Sequence, residues 1–173
     1  MLKIFLVRLS LIAVLLGTAA LPLRGQTPEE SVRLQLEVDR RIASSEQVSW
    51  VDLPPRCSEA SCRVQPGDML RYTVTGVNDS DRAIANFVIT QPLDPQTTYI
   101  LDSLSATPTA QLSYSIDGGR TFSANPTIEV AGANGRVERR PAPAERYTHV
   151  RVRFREPIAA RGQAIAQFQV RVK

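Results

Sequence analysis

Apolar side chains recur at every second position along most of this chain, and no other feature limits its fold as strongly. Val32, Leu34, Leu36 and Val38 alternate with Arg33, Gln35, Glu37 and Asp39. Leu70, Tyr72 and Val74 repeat the pattern in the run Met69 to Asn78, and Ala85, Phe87 and Ile89 in a run stopped by Pro92 and Pro95. Tyr99 to Leu104 and Leu112 to Ile116 read as further strands. Near the end, Val150, Val152 and Phe154 alternate with Arg151, Arg153 and Arg155, and Ala166, Phe168, Val170 and Val172 with Gln167, Gln169 and Arg171. A period of two puts one set on one face of a strand and the other set on the opposite face. Turn residues separate the runs, as in Asn78-Asp79-Ser80-Asp81. Seven or eight short strands of this kind predict an all-β, antiparallel two-sheet sandwich.

The first 25 residues read differently. Lys3 and Arg8 give a positive start, and Leu9 to Leu23 is an uncharged apolar run of 15 residues. That is shorter than the roughly 20 residues needed to span a bilayer, so it reads as a cleaved signal peptide. Small residues at Gly17, Ala19, Ala20 and Gly25 offer cleavage points between about 19 and 26, with a cut close to Gln26 favoured. Residues 26–173 then form one domain, long enough for a real core.

Removing the leader also removes most of the basic excess. The full chain has 21 Lys+Arg against 17 Asp+Glu; without Lys3, Arg8 and Arg24 it has 18 against 17. Nucleic-acid recognition needs a clustered positive field, so near-neutrality argues against that partner. Contact with the membrane is expected only during export.

Cys57 and Cys62 sit close together in a stretch with Pro54, Pro55 and Pro66-Gly67. In an oxidising compartment such a pair closes a small disulfide loop, a local clip contributing about 2 kcal/mol. The rival is half a zinc site, but zinc needs three or four ligands and His149 is the only histidine. A second loop, residues 131–146, holds Gly132, Gly135, Arg139, Arg140, Pro141 and Pro143. It is long for a compact domain, and so either mobile or functional.

Chemistry is sparse. Nucleophilic catalysis needs a base beside the nucleophile, and His149 is expected to face solvent beside Arg151 and Arg153, opposite the inward Val150 and Val152. The acid pairs Asp79 with Asp81, and Asp94 with Asp102, lie in turns or at strand ends, a weak basis for a carboxylate-dependent hydrolase. Asn78 to Asp81 lacks the spacing of a calcium loop. No cofactor or metal is expected. The one candidate binding feature is an outward arginine set: Arg151, Arg153 and Arg155 on one strand and Arg171 on the next. If those strands pair, with Tyr147, Gln167 and Gln169 at the flanks, they would present guanidinium groups to an anionic polymer or glycan.

Two stretches resemble known families. Leu34-Gln35-Leu36, then Val64-Gln65-Pro66-Gly67-Asp68-Met69-Leu70-Arg71-Tyr72-Thr73-Val74, then Ile84-Ala85-Asn86-Phe87-Val88-Ile89-Thr90-Gln91-Pro92-Leu93, with Thr98-Tyr99-Ile100 behind, follow one order. This order resembles the bacterial conserved-repeat surface domain named Domain of Unknown Function Eleven, over about residues 32–172. Gln91 and Asp94 depart from that family's usual acid and proline. The resemblance implies an immunoglobulin-like sandwich in an exported, non-enzymatic module of the cell envelope or surface. Its partners would be an envelope or surface protein or a polysaccharide. The second stretch, Ser115-Ile116-Asp117-Gly118-Gly119-Arg120-Thr121-Phe122, is similar to the Asp-box of sialidase-like propeller blades. A propeller needs several blades, so a single box reads as a hairpin turn with Asp117 capping it.

Overall fold

The computed structural model describes residues 32–43, 48–53, 63–131 and 136–173. The proposed leader and both cysteines, Cys57 and Cys62, lie outside the described residues.

Eleven strands make up the described chain: β1 (Val32–Ala43), β2 (Val48–Asp52), β3 (Met69–Asn78), β4 (Val88–Pro92), β5 (Thr97–Tyr99), β6 (Ser105–Thr107), β7 (Ala110–Ser115), β8 (Thr127–Ala131), β9 (Val137–Pro141), β10 (His149–Phe154) and β11 (Gln163–Val172). All pairings among them are antiparallel. The larger sheet runs β2-β1-β3-β11-β5, with β6 also on β11, and the smaller runs β4-β10-β7. The two form the expected all-β sandwich.

The core is where the alternate residues of both sheets meet. Leu70 and Val74 of β3, Ala164, Ala166, Phe168 and Val170 of β11, and Tyr99 of β5 come from the larger sheet. Ile89 of β4 and Val150, Val152 and Phe154 of β10 come from the smaller. Phe168 stacks on Tyr72 at 5.2 Å between ring centres. At one end Tyr99, Tyr114 and Tyr147 form a triangle with centroids 5.3–5.6 Å apart, tying β5 of one sheet to β7 of the other. The Tyr99 hydroxyl accepts from the Leu104 amide at 3.2 Å, and burial pushes its pKa well above the ordinary value.

At the opposite end a buried side chain does the joining. Asn78 is 1% exposed, and its Nδ2 donates to the carbonyls of Arg82 (2.7 Å), Ile158 (3.2 Å) and Ala159 (2.8 Å). Its Oδ1 accepts from the Ser80 amide and hydroxyl. The Asn-Asp-Ser-Asp turn is therefore a polar pin for the 158–162 loop. Asp79 and Asp81 point outward to Arg33 and Arg161.

Several expectations change. Tyr99 to Leu104 is not one strand: the chain leaves β5 at Tyr99, turns at Leu101-Asp102 and re-enters the sheet as β6. Asp102 has φ 60°, and Ser103 Oγ ties the turn to the Ile100 carbonyl. Ala85 is exposed and precedes β4; Ile84 points inward instead, bridged to Ile158, because Asn86 at φ 57° breaks the alternation. The stretch read as a long loop, 131–146, contains β9, paired with β8 from Thr127↔Pro141 to Ala131↔Val137, and a 3-10 turn at Ala144–Arg146. Exposed β-formers with charged neighbours give that hairpin little apolar signal to read.

The largest correction concerns β1. It is a strand, and Val38 packs against the core, but the middle of its apolar face does not: Leu34 is 63% and Leu36 47% exposed. The three-stranded sheet does not extend far enough to cover it. Beside β1, Gly76 leaves room for Phe87, since an added Cβ would meet that ring at 2.6 Å. On its other side β1 is paired by β2 only from Asp39 to Ala43, and the last contact is Leu53 N–H to the Val38 carbonyl. Among the described residues, the edge from Val32 to Glu37 has no strand partner.

Replacing Asn78 with Ala removes five side-chain hydrogen bonds from a buried corner, although the Arg82, Ile158 and Ala159 carbonyls each keep one other donor. Denaturant unfolding should show a loss on the order of 3 kcal/mol. An unchanged midpoint would mean that the pin contributes nothing.

Candidate functional site

β10 carries the chemistry-bearing side chains on its outer face. His149, Arg151 and Arg153 point away from the core, opposite Val150, Val152 and Phe154. Arg151 lies between Thr90 of β4 and Ser113 of β7, and Arg153 between Val88 and Gln111. One end of this face is covered by the Asp-box loop.

That loop is organised by a single carboxylate. Asp117 Oδ1 accepts from the Ser115 hydroxyl (2.7 Å) and the Arg120 amide (3.1 Å). The Thr121 amide reaches both carboxylate oxygens, and its hydroxyl donates to Oδ2 at 2.6 Å. These bonds favour the charged form and hold the Asp117 pKa well below the usual carboxylate range, with Arg120 adding a smaller pull. Gly118 and Gly119 take φ values of 77° and 85°, which the tight reversal requires. The turn closes a hairpin through the bridge Tyr114↔Ser123. The sequence reading of the box as a turn capped by Asp117 matches this geometry.

The loop then settles on His149. A Cβ at Gly119 would meet the imidazole Nε2 at 3.2 Å, and the Phe122 ring sits edge-on to it at 6.4 Å. Thr148 Oγ1 lies 3.1 Å from His149 Nδ1 and accepts from the Gly118 amide. His149 is therefore half-buried beneath the loop rather than free on the surface. Sequence alternation gives its face correctly and says nothing of what covers that face. Phe122 also receives Arg151, whose Cζ stands 3.4 Å from the ring centre while its Nε donates to Thr90 Oγ1.

The four arginines do not share one surface. β10 and β11 belong to different sheets, so Arg171 on β11 is separated from Arg151 and Arg153. Tyr147 belongs to the tyrosine triangle, and Gln167 and Gln169 lie on β11 with Arg171. Arg155 follows the end of β10, held by its amide to the Thr109 carbonyl. What remains is Arg151 and Arg153 on the smaller sheet, with Arg155 just past the end of β10. Adjacent alternating strands suggest a shared sheet, but pairing partners are chosen by packing.

Beside His149 runs a surface groove of about 350 Å³, lined among others by Leu93, Asp94, Glu145, Tyr147 and Lys173. Its acids do not converge on a reacting position: Asp94 Oδ1 holds the Gln96 amide at 2.7 Å, and Glu145 sits in the 3-10 turn. Lys173 Nζ is bound to the Pro95 carbonyl at 2.7 Å. Among the described residues no cluster of His, Cys, Asp and Glu could hold a metal ion. No helix among them is long and apolar enough to cross a membrane.

In comparisons with family models, curated proteins and solved structures, nothing matches this chain.

Since the folded Asp117 pKa lies below its unfolded value, the stability it supplies is present above the ordinary carboxylate range and drains as pH falls through and below it. Thermal melts should therefore show Asp117→Ala costing stability at neutral pH, with the gap from the wild-type chain narrowing in acid. A gap that stays constant with pH would rule out the carboxylate as the organiser.

Proposed function

We propose that this protein is an exported, non-enzymatic, immunoglobulin-like module of the bacterial cell envelope or surface, working by contact with another protein. The observation that carries this reading is the edge of β1 that no strand among the described residues covers, where backbone lies beside exposed Leu34 and Leu36. An edge of that kind binds extended segments by adding a strand. The non-enzymatic part is supported by how the acids weighed for hydrolysis are used: Asp79 and Asp81 in ion pairs with arginines, Asp94 and Asp102 in turns. Export is supported by the apolar leader, and the family by the resemblance in residues 32–172. The location is the periplasm, the outer envelope surface or the medium.

Expression of the full chain in an envelope-bearing bacterium tests export. The protein should be recovered outside the cytoplasm, starting near Gln26, with Cys57 and Cys62 resistant to alkylation until reduced. Full-length protein retained in the cytoplasm would overturn the reading.

A second reading, recognition of an anionic polymer, is favoured by Arg151. Phe122 and Thr90 hold its guanidinium in place beside the exposed Arg153. Changing Arg151, Arg153 and Arg155 together to Ser should advance elution from an anionic polysaccharide column at low salt, while Arg171→Ser alone should have less effect. Equal retention of the triple variant and the wild type would discard this reading.

A further inference from the structure

The exposed edge of β1 is complementary to itself. Val38 directs its carbonyl toward the β2 side, where Leu53 binds it. Backbone groups alternate sides along a strand, so the N–H and C=O groups of Leu34 and Leu36 point the same way, into the open edge. Their side chains lie on the core-facing side of the sheet, beyond the reach of the smaller sheet. Arg33, Gln35 and Glu37 lie on the outer side.

We propose that two copies of this chain pair antiparallel through the Arg33–Glu37 edge of β1, about a two-fold axis at Gln35, the pairing ending short of Val38, whose edge Leu53 fills. This rests on the reading of the chain as a contact module and names its partner as a second copy. In that register Leu34 stands opposite Leu36 of the second copy, and both have backbone groups facing the junction. The two residues exchange hydrogen bonds, and symmetry repeats the exchange. The four leucines form one apolar strip that continues the interior layer across the junction.

Charge selects the same arrangement. Arg33 falls opposite Glu37 of the second copy, once on each side of the axis. Arg33 already holds Asp79 through Nε and Nη2, at 3.1 and 3.3 Å, which leaves Nη1 for the incoming carboxylate. Among the described residues Glu37 has no ion pair within its own chain. Parallel pairing in register would instead put Arg33 against Arg33, and like charges directly opposite are unfavourable. A register centred on Leu36 would bring Arg33 to Asp39, but β2 already occupies that position. The edge also lacks two devices that commonly block strand addition: Val32 to Val38 contains no Lys and no Pro.

The test uses the processed chain at concentrations from low to high micromolar. Sedimentation should show a dimer that Leu36→Lys converts to monomer and that Glu37→Lys weakens most strongly at low salt. Circular dichroism of each variant must match the wild type. A second measurement does not depend on those folds. In the proposed register, Gln35 of each copy faces itself as a non-hydrogen-bonded pair, about 4.5 Å between Cα atoms, a separation that a disulfide spans. Gln35→Cys should therefore cross-link to a covalent dimer on mild oxidation, and Arg33→Cys should not. A wild-type chain that stays monomeric throughout the range overturns the proposal, as does a dimer unaffected by Leu36→Lys. Should the monomer instead hold a different envelope protein through this edge, lost in Leu36→Lys, self-pairing fails while the contact-module reading stands.

Discussion

The unequal width of the two sheets is the constraint on which the remaining architecture depends. Interdigitation of Phe168, Val170, Leu70 and Val74 with Ile89, Val150, Val152 and Phe154 supplies the apolar burial. Three strands can cover only about as many strands opposite them. β3 and β11 take most of that cover, Val38 of β1 reaches its margin, and Leu34 and Leu36 lie beyond it. The same leucine pattern that would be core in a wider sandwich is surface here.

The two ends of the sandwich are closed by different chemistry. Stacked tyrosines join the sheets at one end, combining large apolar area with a hydroxyl that satisfies the Leu104 amide. At the other end Asn78 brings loop carbonyls into a buried corner and leaves none of its own polar atoms unpaired. The Asp-box loop adds a third closure, over the outer face of the smaller sheet. It draws on backbone amides and one carboxylate rather than apolar burial, which is why it can cover a face made of His149 and arginines.

These closures decide what surface is left for function. Among the described residues, what they leave open is a β1 edge without a strand partner, and a trio of arginines of which one is fixed by an aromatic ring. Both are surfaces suited to contact, and they lie on different sheets, so one could be occupied without the other.

Much of the fold is legible in the residues. The alternation at 69–78, 149–154 and 163–172 marks β3, β10 and β11, and Pro66-Gly67-Asp68 announces the turn before β3, with Gly67 at φ 96° and Asp68 accepting from the Gln65 amide. The Asp-box spacing yields its own loop because every bond in it is local. Weakly patterned β8 and β9 escape notice, since exposed strands need no apolar period.

The amino-acid order by itself determined which faces alternate, where turns fall and that sheets rather than helices form, because those depend on neighbours within a few positions. Only the tertiary structure decided that β10 and β11 lie in different sheets, that His149 is covered, and that Leu34 and Leu36 are bare. Strand pairing and coverage depend on contacts between residues far apart in the chain, and the period-two pattern is the same whether or not a second layer arrives to cover it.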